Sequence, residues 1–513
     1  MGSLMSKQFA TAAQNVSQII KGRKRKYDED DSESSQDEHS LDTTLNTPKR
    51  KKLLSTTQYI YQALYKESRS SDISVRALGK TFELHKIYLC QSPYFSSMFS
   101  GNWRESDDDF VAIEITDPNI TIKSLDIVFG SLYQDEVVLE PLEIVGILAT
   151  AAVFQLEGLI EKCAEVMCET TNSETAVNYY ETACSYGVHS VKKVAFEWLL
   201  TNFMGFYSKS SKRLSGIDVD LMTALASSPN LCVMQTEFSL YIILRSWMFL
   251  KLFPEYTPPE KTDGSKEVVP NQQPDHSTYF AKRESDVPFL NTREGKQFEK
   301  AFRALRLRNL LNHYVDIRVL KQDKIIPIQW LYEPVFEQWV YMLHIDHSLD
   351  KGPTKDVDES IFYETCMRCG RILQEEDFQK WRWTGFNFGL DLVLIIDART
   401  LSIKRHHRTE NERLLSLQVK RQFLIKITLI SLNDQRQIKH SQTTDIKSLS
   451  LDKNEEVHLL HMDTELTYPL LISANILVVT PPQTPKTDSN TTTQASREIL
   501  PQPGRSTPTV KQS

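Results

Sequence analysis

Between Asp72 and Glu105 the chain reads DISVRALGKTFELHKIYLCQSPYFSSMFSGNWRE, and its hydrophobic pattern changes twice within that stretch. Ile73 and Val75 alternate with Asp72, Ser74 and Arg76, and Phe82 and Leu84 alternate again after Leu78-Gly79. Successive side chains of a strand point to opposite faces, so this pattern predicts two half-buried strands joined by a tight turn. From Ile87 the apolar positions Tyr88, Leu89, Phe95, Met98 and Phe99 crowd together. Their spacing predicts short buried helices broken at Pro93. A polar loop, 101–109, follows, in which Trp103 stands alone among charges.

The neighbouring pattern completes a first unit, 55–170. Gln58–Lys66 predicts an opening helix, and Val111, Ile113 and Ile115 predict a third strand. Leu125, Val128, Phe129 and Leu132 mark a helical face, and Pro141–Val153 with Leu156–Cys168 predicts an antiparallel helix pair. Helical spacing continues over 171–330. It includes Ala176–Gly187, with a glycine where a helix would be capped, and Cys232–Phe253, with Tyr241, Leu244, Trp247 and Met248 on its apolar face. Within it, 254–288 is rich in Pro, Lys, Asp and Gln without a period and reads as an insertion. Residues 331–360 read as a linker. Strand signals dominate 361–480, at Trp381–Asp391, Leu392–Ile396, Phe423–Leu429, Val457–Leu460 and Leu470–Val479. The flanks, 1–54 and 481–513, are polar, and their composition predicts disorder.

Composition narrows the function classes. The 513 residues are 40% hydrophobic and 25% charged, an ordinary globular balance with room for several domains. A net charge of −7 provides no global basic field for nucleic acid, and no base-reading module is present. The odd count of 7 cysteines favours a reducing compartment. No apolar run reaches membrane-spanning length. There is no Gly-rich phosphate loop, nucleophile elbow or HExxH, so a non-enzymatic chain without cofactor or metal is expected. Cys366-Met-Arg-Cys369, with His344 and His347 upstream, is too loosely spaced for a zinc finger, and a reduced turn before a strand is preferred.

Positive charge gathers near the N-terminus. Lys21, Arg23, Lys24, Arg25 and Lys26, with Lys49, Arg50, Lys51 and Lys52, flank an acidic spacer in the manner of a bipartite import signal. A solvated charge run is the alternative. Met1-Gly2-Ser3-Leu4-Met5-Ser6 fits N-myristoylation at Gly2. One acyl chain anchors only marginally and a polybasic neighbour adds a second contact. Together these signals place the chain in the nucleus, at the envelope or matrix, as an expectation.

Several words of the sequence carry resemblances. SDISV, LHKIYLCQSPYFSSMF and FVAIEI resemble the BTB (POZ) domain, and FRALRLRNLL after RSWMFL resembles the helical BACK domain. NTPKRKK, MRCGR and WRWTGFNFGLDL resemble the germ cell-less family. The resemblance implies an α+β multidomain chain with an α/β BTB domain, a BACK domain, a β-rich C-terminal domain and disordered termini. It also implies a substrate adaptor of a cullin-3 ubiquitin ligase with germ-line or spermatogenic roles.

On that resemblance Trp103, Arg104 and Glu105 fall at the cullin-binding positions, where a large apolar anchor and a rim carboxylate would fix the register. The alternative is an indole folded back on its own domain. Asp72 and Lys86 match the charged pocket of the BTB homodimer, their local alternatives being a capped turn and a solvated lysine. The client is expected on the C-terminal domain, with Trp381, Arg382, Trp383, Phe386, Asn387 and Phe388 as candidates and core packing as the alternative. A competing reading has the chain bind nuclear lamina proteins or a transcription factor without degrading them.

Overall fold

Leu78 and Gly79 both take positive φ, 48° and 79°, forming the two-residue turn whose twist matches the strands it joins. Those strands are β1 (Ile73–Ala77) and β2 (Lys80–Leu84), paired antiparallel; β3 (Phe110–Ile113) lies parallel to β1, giving the order β2-β1-β3. The computed structural model describes residues 55–100, 109–256, 278–383, 390–407 and 418–481. The opening helix α1 (Thr56–Ile60) continues as a wider π-type helix over Tyr61–Lys66. Helices α2 (Lys86–Leu89), α3 (Pro93–Ser100), α4 (Ile122–Ser131), α5 (Ile144–Val153) and α6 (Glu157–Glu169) complete the unit. Phe95, Phe129 and Phe154 meet in its core, the last ring 5.1 Å and 5.3 Å from the other two.

The helical region follows as α7 (Ala176–Tyr186), α8 (His189–Asn202), α9 (Ser211–Gly216), α10 (Val219–Ser227), α11 (Glu237–Leu252) and α12 (Glu299–Arg303). Gly187 ends α7 in the left-handed conformation, φ 73°, where a Cβ would be strained. Tyr241, Leu244, Trp247 and Met248 of α11 are fully buried. The aperiodic stretch expected to be a bare insertion returns an aromatic to this core. Phe280 is buried, its ring 5.2 Å from that of Phe289.

The expected linker is corrected by the structure. After α13 (Tyr314–Asp323), helix α14 (Gln329–Asp346) runs through residues 331–346, and α15 (Glu359–Thr365) begins before 361. Pro334, inside α14, argues against a continuous helix because it removes one ladder hydrogen bond. The surrounding Tyr332, Val335, Phe336 and Trp339 nevertheless keep helical spacing.

The C-terminal region is a β-sandwich. Its strands are β4 (Met367–Leu373), β5 (Gln379–Trp383), β6 (Leu392–Asp397), β7 (Thr400–Arg405), β8 (Lys420–Leu432), β9 (Ile438–Thr443), β10 (Lys447–Asp452), β11 (Glu456–His461) and β12 (Leu470–Leu477). One sheet has the order β10-β8-β12-β4, with β9 beside β8, and the other β11-β7-β6-β5. Alternate residues such as Cys369, Leu394, Ile403, Ile427 and Ile472 fill the space between the sheets. The opposite faces of β4 and β12 pack on the helical region, where Ile372 and Leu471 meet Cys232.

Candidate interaction surfaces

The dimer-pocket candidates lie together at one edge of the first unit. The Lys86 backbone N–H donates to Asp72 Oδ1 at 2.7 Å, so Asp72 caps the start of α2. Lys86 Nζ stands 3.8 Å from Asp109 Oδ1 and 5.9 Å from the Phe99 ring centre. Ile87 and Phe110, chain neighbours of that pair, are 77% and 50% exposed. This edge holds the ends, Ser100 and Asp109, between which the loop passes; Trp103, Arg104 and Glu105 lie outside the described residues. Gly2 and both basic clusters lie outside them as well.

A second feature joins the regions into one body. Arg368 of β4 is buried against the helices, where its guanidinium donates to Glu237 Oε1 at 2.6 Å and Oε2 at 3.2 Å. It also donates to the Ala226 and Ser228 carbonyls at 2.9 Å and 2.8 Å. Glu237 Oε1 accepts the Arg306 N–H as well, and the Arg306 side chain reaches the Cys366 and Tyr363 carbonyls. Burial, and then the neighbouring Arg368 charge, lower the Arg306 pKa below its ordinary value. Next along β4, a Cβ on Gly370 would stand 2.8 Å from the carbonyl oxygens of Val233 and Ile472, so two backbones meet there. The turn between β8 and β9 makes a further tie: Gln437 Nε2 donates to the Cys168, Glu169 and Thr171 carbonyls, at 3.3, 3.0 and 3.0 Å. The Cys168 and Glu169 carbonyls belong to the last turn of α6, where the helix leaves them without partners.

A third feature is a groove of about 840 Å³ between α13 and α14, lined by Tyr314, Ile317, Lys321, Tyr332, Phe336 and Trp339 among others. The sequence reading missed it, because it placed a linker where α14 runs.

Comparison with known proteins assigns these features to a family. A BTB/POZ domain model matches residues 61–171. The chain is 49% identical over 502 residues to the germ cell-less protein of Drosophila melanogaster, covering 95% of this chain and 86% of that one. It is 39% identical over 444 residues to germ cell-less protein-like 1 of Homo sapiens, covering 85% and 84% respectively. Similarity to a Xenopus tropicalis kelch repeat and BTB domain-containing protein is 26% over 188 residues, 36% of this chain and 30% of that one. The chain belongs to the germ cell-less family.

The words that suggested the germ cell-less family now have structural reasons. MRCGR is β4, the strand that carries Arg368 and Gly370 into the seam. The two neighbouring cysteines are packing residues: Cys366, just before β4, accepts from Arg306 through Sγ at 3.0 Å, and Cys369 lies in the sandwich core, 3.7 Å from the Ala474 carbonyl. Trp381 and Trp383 are also core residues, 6% and 7% exposed with ring centres 6.0 Å apart, so neither offers a recognition face. Period-two alternation puts both indoles on the buried side of β5, leaving Arg382 outside, paired with Asp391. Phe386, Asn387 and Phe388 fall outside the described residues. As a BTB protein of the germ cell-less family, the chain is of the adaptor type, in which the BTB domain mediates dimerisation and partner binding.

Proposed function

We propose that this germ cell-less family member is a substrate adaptor of a cullin-3 ubiquitin ligase. The BTB unit dimerises and grips cullin-3 through Trp103, Arg104 and Glu105, and the distal half holds a client. Transfer chemistry belongs to the partners, and this chain contributes proximity. The observation that carries the reading is the buried Arg368–Glu237 seam, with Gln437 capping α6, in a chain whose first unit is a BTB domain. A body tied at both places holds a client at a fixed offset from the BTB surface. Dimerisation would present two client sites on one ligase and raise the effective concentration. The import clusters and a lipid on Gly2 would keep the assembly at the nuclear envelope, in germ cells by analogy with the family's name.

The decisive experiment is capture of the purified N-terminal region of cullin-3 by the full chain. Capture that is lost on Trp103→Ala/Glu105→Ala supports the reading; undiminished capture removes this site. Nuclear-rim enrichment that persists in Gly2→Ala removes the lipid.

A further inference from the structure

Helix α14 turns an apolar stripe toward solvent. Tyr332, Val335, Phe336, Trp339 and Leu343 recur at helical spacing and stand 42% to 68% exposed. Across the groove, α13 offers Tyr314 and Ile317, also exposed. Of the twenty-one large apolar side chains exposed among the described residues, nine fall between Tyr314 and Leu343. Single exposed apolar residues are ordinary, but a contiguous patch marks a binding surface.

Charge around the groove is one-sided. Both carboxylates of α13 are turned inward and occupied. Asp316 accepts the Asn312 and His313 N–H groups, and Asp323 accepts the Tyr241 hydroxyl and the Arg245 guanidinium, all at 2.9 Å. Lys321, which lines the groove, and Arg318, one turn before it, are exposed and lack an ion-pair partner among the described residues. On α14, Glu337 is held by Arg308 at 2.9 Å. Glu333 is exposed but does not line the groove, and Asp346 falls a turn beyond Met342, the last lining residue.

From this pairing of an apolar stripe with a basic rim, we infer that the groove takes an amphipathic helical segment of the client carrying a carboxylate beside its apolar face. Apolar side chains at i, i+3, i+4 and i+7 enter between α13 and α14, and the acid meets Lys321 and Arg318. The inference rests on the adaptor reading and moves client recognition from the sandwich to these helices. A volume of about 840 Å³ accommodates several such side chains. A second copy would set one basic rim against another. The chain's own tail, 482–513, is a poor occupant, since Asp488 and Glu498 are outnumbered by Lys486, Arg497, Arg505 and Lys511 and it has no aromatic residue. Near the N-terminus, Phe9, Val16 and Ile20 have suitable spacing but are flanked by Lys7 and Lys21.

The test titrates a fluorescein-labelled helical peptide, with Leu at i, i+3, i+4 and i+7 and Glu on one flank, against the full chain. A Lys-flanked version and a scrambled version run beside it. The acidic peptide should bind saturably and slow hydrogen exchange over 314–343. Phe336→Ala/Trp339→Ala should weaken it at least about 30-fold. The Lys-flanked peptide should bind about 3-fold more weakly, and Arg318→Glu/Lys321→Glu should invert that preference. Each variant should keep the parent's melting temperature and its capture of the cullin-3 N-terminal region. Loss of peptide binding alone therefore reads the groove, and loss of cullin capture alone counts against the adaptor reading. Equal binding of the scrambled peptide, no charge preference, or unchanged binding by Phe336→Ala/Trp339→Ala would overturn the inference. So would a fall in oligomeric mass on Phe336→Ala/Trp339→Ala, which marks a second copy, or peptide binding that appears only after deletion of 1–54 or 482–513.

Discussion

The β4 seam and the α13–α14 groove break the ordinary partition of side chains in opposite directions. At the seam a charged pair is sealed from water, with Arg368 and Glu237 about as buried as any leucine of the core. In the groove, Phe336 and Trp339 stand in solvent. Buried charge survives only where hydrogen bonds replace its hydration, and Arg368 has four such bonds from its guanidinium. Exposed apolar surface has no comparable internal compensation. The seam is therefore a completed interface and the groove an open one, and substitutions should affect stability at the first and binding at the second.

The largest effect should follow from leaving one seam charge alone. Glu237→Ala strands Arg368 in the interior and should cost about 3–5 kcal/mol, read by denaturant or thermal unfolding of the full chain. The double variant Glu237→Met/Arg368→Met should lose less than the sum of the two singles; additive losses would mean that the charges do not depend on each other. Trp381→Ala should cost a similar amount, about 3–5 kcal/mol, because it empties core volume. A surface-like loss would restore the recognition-face reading of β5. Gly370→Ala should cost about 1–3 kcal/mol, since the new methyl meets two backbone carbonyls.

At the groove the contrast should be plain. Trp339→Ala should change stability by no more than about 0.5 kcal/mol, as exposed positions do. A loss near that of Trp381→Ala would show that the indole supports the fold.

Thiol chemistry offers the mildest probe of the same division. Burial pushes the Cys163 and Cys232 thiols up to about 12, whereas Cys90 and Cys184 are exposed. Because the thiolate is the reacting form, a raised pKa slows alkylation. Cys90 and Cys184 should label first, while Cys163 and Cys232 wait for denaturant. Early labelling of Cys232 would reveal an opening at the helix–sandwich contact.

Local rules made much of the fold legible before any coordinates. The β1–β2 hairpin followed from alternation and Leu78-Gly79, the end of α7 from Gly187, and most sandwich strands from apolar runs. What stayed hidden depends on distant partners. Nothing around Arg368 announces that it is buried, because Glu237 lies 131 residues earlier. Strand β9 escaped notice because, at the solvent side of β8, it buries none of its residues. Helix α14 was read as linker because Pro334 falls inside it and its apolar stripe stands largely in solvent rather than in a core. The candidate site divided in the same way. Asp72 and Lys86 do lie together, though Asp72 is engaged as a helix cap, whereas Trp381 and Trp383 drew attention for bulk that the core absorbs.

The most direct measurement of the whole account is protein turnover across the proteome of cells carrying the full chain, Trp103→Ala/Glu105→Ala, or Phe336→Ala/Trp339→Ala. If one end of the molecule grips the ligase and the groove grips the client, the same proteins should acquire longer half-lives in both variants. Disjoint sets, or unchanged half-lives in either variant, would contradict it.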